Sequence, residues 1–171
     1  LKHLGYKAAV VNFSDIYAMN GTPTQITVSL GVSKRFSVED LEELYAGIHL
    51  ACERYGVDLV GGDTCASMTG LTISITCLGT AYAQDIVYRN GAKLNDLICV
   101  SGNLGTAYMG LQLLERERIV MQNNDHATPA FEGHEYLLER QLKPEARRDI
   151  IEALRKAKVK PTAMMDISDG L

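Results

Sequence analysis

The sequence predicts an α/β fold, because segments with a helical spacing of apolar residues are interspersed with segments in which apolar and polar residues alternate. The clearest strand covers residues 71–81, where the alternation is regular. The clearest helix begins at Ser37, an N-cap residue with Asp40 as its capping-box partner, and ends at Gly56. Apolar residues make up 46% of the 171-residue chain, enough for a core, and 22% are charged, which argues against wholesale disorder.

Two helices and three strands are predicted for the first half of the chain. The helices cover residues 6–19 and 37–55. The strands cover residues 25–32, 58–64 and 71–81. We expect the last two strands to pair as a hairpin through a turn at residues 67–70.

The first helix carries two polar residues on a stripe of otherwise small or apolar side chains. Asn12 and Asp15 share this stripe with Ala8, Val11 and Met19 at helical spacing. Because a buried carboxylate needs a partner, a functional role is favoured for Asp15. The alternative is that Asp15 caps a neighbouring element.

A polar turn at residues 89–96 is the expected domain boundary. It divides the chain near Lys93 into an N-terminal domain, residues 1–93, and a C-terminal α/β domain, residues 94–171. The second domain is predicted to contain strands over 97–101 and 164–167, helices over 106–118, 134–141 and 144–157, and a loop over 120–132.

Charge, hydropathy and cysteine content argue against several classes of protein. The formal net charge of -4 disfavours a nucleic-acid-binding protein, which would carry a basic face. No stretch approaches the length of a membrane span. The four cysteines form no Cys-x-x-Cys pair, which predicts reduced thiols in a cytoplasmic protein. The chain opens at Leu1 without a signal peptide, and we expect the native protein to extend beyond both ends.

Residues 61–64 form the strongest local signal for chemistry. The strand over 58–64 ends in Gly61-Gly62-Asp63-Thr64, where the glycines allow the backbone to approach a phosphate closely. Asp63 then supplies a metal ligand at a strand end, where the active sites of sheet proteins gather. The alternative is a tight turn in which Asp63 bonds its own backbone.

The chain ends in a second acidic motif, Asp-Ile-Ser-Asp-Gly-Leu, over residues 166–171. Asp166 and Asp169 are candidate metal ligands, and Ser168 is a candidate phosphate contact. Carboxylate and hydroxyl oxygens are hard ligands, which suit Mg²⁺. The alternative is that Ser168 or Asp169 caps a helix that follows.

Arg89 and Tyr45 are further candidates. Arg89 follows a strand and lies in a turn, from which its guanidinium would clamp phosphate oxygens in a bidentate fork. Taken singly, Arg89 is better explained as a surface arginine at a turn. Tyr45 lies on the inner face of the second helix, which predicts a core residue or, as the alternative, an edge-on contact to a nucleotide base.

Other kinds of active site lack their residues. The glycines at 102, 105 and 110 do not have the spacing of a dinucleotide-binding loop, and no Walker A sequence is present. The four histidines form neither a hydrolase triad nor a zinc motif. The sequence therefore predicts a Mg-dependent, nucleotide-using phosphoryl-transfer enzyme.

Five motifs, in order along the whole chain, match one known family. They lie at residues 9–19, 61–64, 89–92, 100–105 and 166–171. On these motifs the chain resembles the thiamine-monophosphate kinases, of the superfamily that includes aminoimidazole ribonucleotide synthetase. Two places depart from the family's pattern: Asn95 replaces a glycine, and Thr106-Ala107 replace an Asp-Ser pair.

The resemblance implies transfer of the γ-phosphoryl group of ATP to thiamine monophosphate, with several Mg²⁺ ions. It implies an aminoimidazole ribonucleotide synthetase-like fold of two domains, with the N-terminal domains of two copies forming a shared barrel in a homodimer. By motif match the metal ligands are Asp15, Asp63, Asp166 and Asp169. By the same match the ATP contacts are Gly62, Asp63, Arg89 and Ser168, and the catalytic candidates are Asp63 and Asp169. Tyr45 is added to the ATP contacts from its place on the second helix and not from a motif.

Two alternatives remain open at this point. One is a different ATP-dependent member of the superfamily, a cyclo-ligase or a selenophosphate synthetase. The Asn-x-Ser-Asp-x-x-Ala-Met block at residues 12–19 favours the kinase, and the reactive Cys or Sec of the selenophosphate synthetases is not seen in this chain. The other alternative is a non-catalytic dimerisation module that has kept the fold.

Overall fold

The computed structural model of the chain describes residues 1–124 and 128–168. Within them the helices are α1 (Lys2–Ala18), α2 (Val38–Tyr55), α3 (Thr106–Asn123), α4 (Glu135–Leu142) and α5 (Arg148–Ala157). The strands are β1 (Thr22–Val32), β2 (Asp58–Ala66) and β3 (Leu71–Thr80), and a short 3₁₀ turn covers Ala83–Asp85. The α/β fold class is confirmed.

Local signals correctly predicted how α1 and α2 end and how α2 begins. The Ser37 hydroxyl accepts a hydrogen bond from the Asp40 backbone N–H, and the Asp40 carboxylate accepts one from the Ser37 N–H. Gly56 ends α2 in the left-handed conformation, with φ +70°. Asn20 takes the same conformation after α1, with φ +60°.

The three strands form one sheet in the order β2–β1–β3, with β1 parallel to β2 and antiparallel to β3. The predicted hairpin between β2 and β3 is therefore wrong, because β1 lies between them. Burial explains the order. Ile26, Val28 and Leu30 of β1 are fully buried, whereas no residue of β2 or β3 is. The strand with the most deeply buried side chains occupies the centre of the sheet.

Helices α1 and α2 pack against each other and supply most of the core around β1. A pair of glycines lets their backbones touch: a Cβ added to Gly5 would lie 1.9 Å from the Leu44 carbonyl oxygen, and one added to Gly47 would lie 1.9 Å from the Lys2 carbonyl oxygen. The core side chains of the two helices are Tyr6, Ala9, Val10, Phe13, Tyr17, Leu44, Ile48, Ala51, Cys52 and Tyr55.

The buried face of α1 is not the stripe that the sequence suggested. Phe13 and Tyr17 lie in the core, while Asp15 is exposed and Asn12 is half-buried. The Asn12 amide donates to the Ala8 carbonyl of its own helix at 2.8 Å. The Asp15 carboxylate is therefore not a buried charge that requires compensation. A functional role for Asp15 has to be argued from the residues around it.

The second half of the chain packs on the first through α5 and the residues before it. Ala146 and Ile151 join the core cluster, and the Tyr55 hydroxyl accepts a hydrogen bond from the Ala146 backbone N–H at 2.9 Å. Helices α3 and α4 meet at Gly110, where an added Cβ would lie 2.2 Å from the Leu137 carbonyl oxygen. The division into domains 1–93 and 94–171 stays a prediction.

Two predicted strands are wrong. Residues 97–101 and 164–167 have no strand pairing in the described part of the chain, and Leu97 and Ile98 are 91% and 95% exposed. A strand forms only where another strand completes its backbone hydrogen bonds, and among residues 1–124 and 128–168 no strand pairs with either segment. Helix α3 also extends to Asn123, so the predicted loop begins later than residue 120. Among the described residues, none of the helices has the length and apolar character needed to span a membrane.

Candidate functional site

Three segments that are far apart in the sequence line one cavity of about 650 Å³. They are the last turn of α1, the turn at residues 88–90, and residues 164–166 after α5. Each contributes one charged candidate: Asp15, Arg89 and Asp166. The other lining residues are Ala18, Met19, Tyr88, Asn90, Met164 and Met165. We call this the three-segment cavity.

Two hydrogen bonds hold the Arg89 turn against the end of α1. The Val87 N–H donates to the Met19 carbonyl at 3.2 Å, and the Asn20 side-chain amide donates to the Asp85 carbonyl at 2.9 Å. The Val87 side chain is buried. These contacts place the walls that carry Asp15 and Arg89 side by side.

The Arg89 turn also packs against the segment that leads to Asp166. A Cβ added to Gly91 would lie 2.0 Å from the Thr162 carbonyl oxygen, so only glycine fits there. The Thr162 hydroxyl donates to the Asp96 carboxylate at 2.6 Å, which also accepts from the Lys93 N–H at 2.8 Å. Both hydrogen bonds lower the pKa of the Asp96 carboxyl group, and the bond from Thr162 has the larger effect.

A second concavity, of about 480 Å³, lies along β2. Its lining residues are Tyr45, Leu59, Val60, Gly61, Gly62, Asp63 and Thr64. We call it the β2 surface. Asp63 is exposed, and its carboxylate accepts a hydrogen bond from the Thr64 N–H at 2.8 Å. The alternative interpretation, in which Asp63 bonds its own backbone in a tight turn, is therefore correct about the hydrogen bond. The bond forms within strand β2, however, and not in a turn.

The two glycines of the β2 surface have different roles. A Cβ added to Gly62 would lie 1.9 Å from the Val28 carbonyl oxygen of β1, so sheet packing by itself requires glycine there. A Cβ added to Gly61 would meet nothing within 4 Å. The backbone at Gly61 is therefore open to a ligand. Tyr45 is half-buried beside it and packs against the core cluster.

The structure brings Asp15, Arg89 and Asp166 together and leaves the other described candidates apart from them, with one exception. Ser168 adjoins the three-segment cavity, since its hydroxyl donates to the Asp166 carboxylate. The residues at the β2 surface do not line this cavity. Asp169, predicted as a metal ligand and a catalytic residue, lies outside the described residues.

The oxygen donors of the three-segment cavity suit magnesium as a partial ligand set. Asp15 is exposed and Asp166 is half-buried, so both carboxylates are accessible from the cavity. Over residues 1–124 and 128–168, no three His, Cys, Asp or Glu side chains gather into a group that could hold a metal ion. Proteins usually bind Mg²⁺ through one or two carboxylates together with substrate phosphates and waters, and this donor set agrees with that pattern.

The charge of Asp15 acts on the thiol of Cys77, a residue of β3. Burial first, and then the negative charge of Asp15, raise the pKa of Cys77 to about 11. Asp15 therefore projects beside β3, the strand at the opposite edge of the sheet from β2.

Sequence reasoning did not identify Tyr88, Met164 and Met165 as neighbours of the charged groups. Tyr88 directly precedes Arg89, and the two methionines directly precede Asp166. Their adjacency to motif residues is the signal that would have suggested them, and they give the cavity its apolar wall.

Comparison with known proteins identifies similar sequences and structures. Residues 1–81 match the family described as AIR synthase related protein, N-terminal domain. The thiamine-monophosphate kinase of Bacillus subtilis strain 168 is 34% identical over 168 residues, which cover 98% of this chain and 49% of that protein.

Solved structures show the same fold. The thiamine monophosphate kinase of Aquifex aeolicus superposes with a TM-score of 0.80 at 36% identity, covering 99% of this chain and 53% of that one. A complex of AaThiL with AMPPCP and TMP superposes with a TM-score of 0.82 at 36% identity, covering 99% of this chain and 50% of that one.

Residues 1–81 match the N-terminal domain of AIR synthase related proteins, and the chain is homologous over nearly all of its residues to thiamine-monophosphate kinases. It spans about half the length of the curated relatives that it matches.

Proposed function

We propose that the protein transfers the γ-phosphoryl group of ATP to thiamine monophosphate, giving thiamine diphosphate, with Mg²⁺ as the metal. The observation that carries the proposal is the meeting of Asp15, Arg89 and Asp166 around one cavity, although about 75 residues separate each from the next. An arginine fork for phosphate oxygens beside two carboxylates for a metal is the combination that phosphoryl transfer requires.

The acceptor in this reaction needs little activation by the protein. A phosphate monoester is already ionised near neutral pH, so no general base has to remove a proton. The chain's own contribution is to orient two anionic groups that repel each other. Arg89 binds phosphate oxygens, and Asp15 and Asp166 would hold Mg²⁺, which when bound neutralises charge on the polyphosphate.

The β2 surface is proposed to receive the nucleotide. The open backbone at Gly61 supports a close approach by phosphates or ribose, and Tyr45 offers an aromatic edge next to it. Gly62 and Asp63 are proposed to contact ATP. Asp63 is also proposed as a metal ligand and, together with Asp169, as a catalytic residue, and Ser168 as a phosphate contact.

The proposal includes a homodimer and a cytoplasmic location. Helices α1 and α2 cover one face of the sheet, whereas Val60 and Leu78 on the two outer strands are each 52% exposed, which supports burial of the sheet against a second copy. Cys52, Cys65, Cys77 and Cys99 are free thiols, as expected in a reducing compartment.

The experiment that tests the proposal measures thiamine diphosphate formed from thiamine monophosphate and ATP, with Mg²⁺ present or chelated. We expect Mg-dependent product. Magnesium-dependent ATP binding in a calorimeter, without product from thiamine monophosphate, would instead favour a different ATP-using member of the family. The absence of any ATP binding would favour the non-catalytic module.

A further inference from the structure

Arg155 of α5 makes a concentrated set of contacts at the end of α1. Its guanidinium donates to the Asn20 side-chain oxygen at 3.0 Å and to the Thr22 hydroxyl at 3.0 Å. It also donates to the backbone carbonyls of Asn20, at 2.5 Å, and Gly21, at 3.0 Å. One side chain thus binds four oxygens on three consecutive residues.

These contacts close the ring of segments around the three-segment cavity. The α1 end is bonded to the Arg89 turn through Val87 and Asn20, and that turn is packed on the Asp166 segment at Gly91 and Thr162. Arg155 supplies the third connection, from α5 to the α1 end. Since α5 is followed directly by the residues that lead to Asp166, this connection relates the positions of Asp15 and Asp166.

The contacts depend on the shape and charge of a guanidinium. Its planar fork reaches several acceptors at fixed angles, which a lysine ammonium does not reproduce. The acceptors are neutral, and no carboxylate in residues 1–124 or 128–168 forms a salt bridge with Arg155. These acceptors directly follow the C-terminal end of α1, where the partial negative charge of the helix dipole favours a cation.

We propose that Arg155 is a positioning residue for the metal: it holds the α1 end and the Asp166 segment at the separation at which Asp15 and Asp166 bind one Mg–polyphosphate. This inference rests on the proposed function of the three-segment cavity. Arg155 does not line the cavity, so it acts through Asn20, Gly21 and the helix that carries it.

The test compares the Arg155→Ala and Arg155→Lys variants with Lys156→Ala, which removes a neighbouring exposed charge on the same helix. The measurement is the Mg²⁺ concentration that gives half-maximal turnover, together with the melting temperature. We expect Arg155→Ala to raise this Mg²⁺ concentration by about 10- to 100-fold, the range seen when the supports of metal ligands are removed. Lys156→Ala should match the wild type, and Arg155→Lys should recover only part of the loss.

Chemical rescue separates positioning from general stability. Arg155 is exposed, so methylguanidinium added to the Arg155→Ala variant should enter its place and lower the Mg²⁺ requirement, whereas methylammonium should not. A lower melting temperature with an unchanged Mg²⁺ requirement would make Arg155 a purely structural residue and overturn the proposal.

A second measurement distinguishes failure of this inference from failure of the proposed function. Amide hydrogen exchange at residues 19–22 and 162–167 needs no substrate, and Arg155→Ala should speed it in both segments. If the wild type binds Mg–ATP but does not phosphorylate thiamine monophosphate, only the proposed reaction fails. The role of Arg155 is then tested by comparing the Mg²⁺ dependence of ATP binding in Arg155→Ala and the wild type. Unchanged exchange in both segments, or a wild type that does not bind Mg–ATP, overturns the inference.

Discussion

The two concavities of this chain are built in opposite ways. The β2 surface comes mostly from one continuous strand, so that Gly61, Gly62 and Asp63 are neighbours in both sequence and space. The three-segment cavity comes from residues near positions 15–19, 88–90 and 164–166, which only folding brings together. The first is a local motif, and the second is a product of tertiary contacts.

This difference shows where each region is vulnerable. The β2 surface depends on the backbone of one strand and on its pairing with β1, so changes at single residues should act locally. The three-segment cavity depends on contacts between α1, the Arg89 turn and α5, so changes well outside the cavity should alter it. If both regions serve one polyphosphate, their charged residues should also be coupled to each other.

The largest expected effect is the loss of turnover in Asp63→Asn. The variant keeps the oxygen that accepts from the Thr64 N–H but loses the charge that a metal requires. We expect turnover to fall by about 100-fold or more, which corresponds to at least about 2.7 kcal/mol of transition-state stabilisation, with the melting temperature unchanged. Steady-state kinetics with thiamine monophosphate checks this result.

Asp58→Asn is the matched control, because it removes the same charge from the first residue of the same strand. Near-wild-type turnover by Asp63→Asn would count heavily against the site. Combining Asp63→Asn with Asp15→Asn extends the test to both regions: losses that do not add would show that the two carboxylates act on a common ligand.

A pair of glycine variants tests how the packing of β2 on β1 contributes to stability. Gly62→Ala forces a methyl group against the Val28 carbonyl oxygen, and we expect a loss of about 1–3 kcal/mol in the free energy of unfolding. Gly61→Ala, its neighbour, adds the same methyl group in open space and should leave stability unchanged. Urea unfolding measures both, and a Gly62→Ala protein as stable as the wild type would refute the close approach to β1.

The Gly61→Ala variant also sharpens the assignment of the nucleotide to this surface. Because its fold should be intact, weaker ATP binding would come from the methyl group itself. Calorimetric titration with ATP and Mg²⁺ measures the change, and unaltered affinity would place the nucleotide elsewhere.

A smaller effect is expected from Tyr55→Phe. This variant removes a hydrogen bond to the segment before α5 and leaves the residues of the β2 surface unchanged. The variant leaves the buried Ala146 N–H without its acceptor, and a loss of about 1–2 kcal/mol in the free energy of unfolding is expected at pH 8. The exposed Tyr82→Phe is the control. Urea unfolding should show the loss in the first variant only.

The pH dependence of stability follows from the same residue. Burial first, and then the proximity of Tyr6, raise the pKa of Tyr55 above its ordinary value of 10.0. A raised folded pKa gives stability that is present below pH 10 and is lost as the pH rises above it. The wild type should therefore lose stability on going from pH 9 to pH 11, and Tyr55→Phe should lose less. Equal slopes in the two proteins would contradict this account.

The smallest effect concerns thiol reactivity. Cys65 is exposed two residues after Asp63, whereas Cys77 is half-buried near Asp15 with its pKa raised to about 11 by burial and by that charge. At pH 8 only about 0.1% of the Cys77 thiol is ionised, so iodoacetamide should modify Cys65 long before Cys77. Peptide mass spectrometry over a time course measures the order, and modification of Cys77 first would contradict the described burial.

The sequence predicted the local elements of the first half well. The Ser37–Asp40 cap, the Gly56 stop and the strand at 71–80 depend on interactions among neighbouring residues, and such interactions are visible as spacing. It also identified Asp15, Arg89 and Asp166 singly, from short motifs. Their common cavity was expected only through the family resemblance.

Residues 97–101 show why the second half was harder to predict. Their run of apolar side chains is typical of a buried strand, yet Leu97 and Ile98 are exposed and unpaired among the described residues. Hydropathy reports what a segment would gain from burial. It does not report whether another strand is present to complete the backbone hydrogen bonds.

The sequence by itself determined where α1 and α2 end, where the clearest strand lies and which carboxylates belong to short motifs. Only the tertiary structure decided that β1 separates β2 from β3, that Asp15 is exposed beside β3, and that Arg155 joins the end of α1 to α5. The reason is physical: caps and periodicity arise from contacts within a few residues, whereas strand order and convergent sites arise from contacts between residues far apart in the chain, which spacing does not encode.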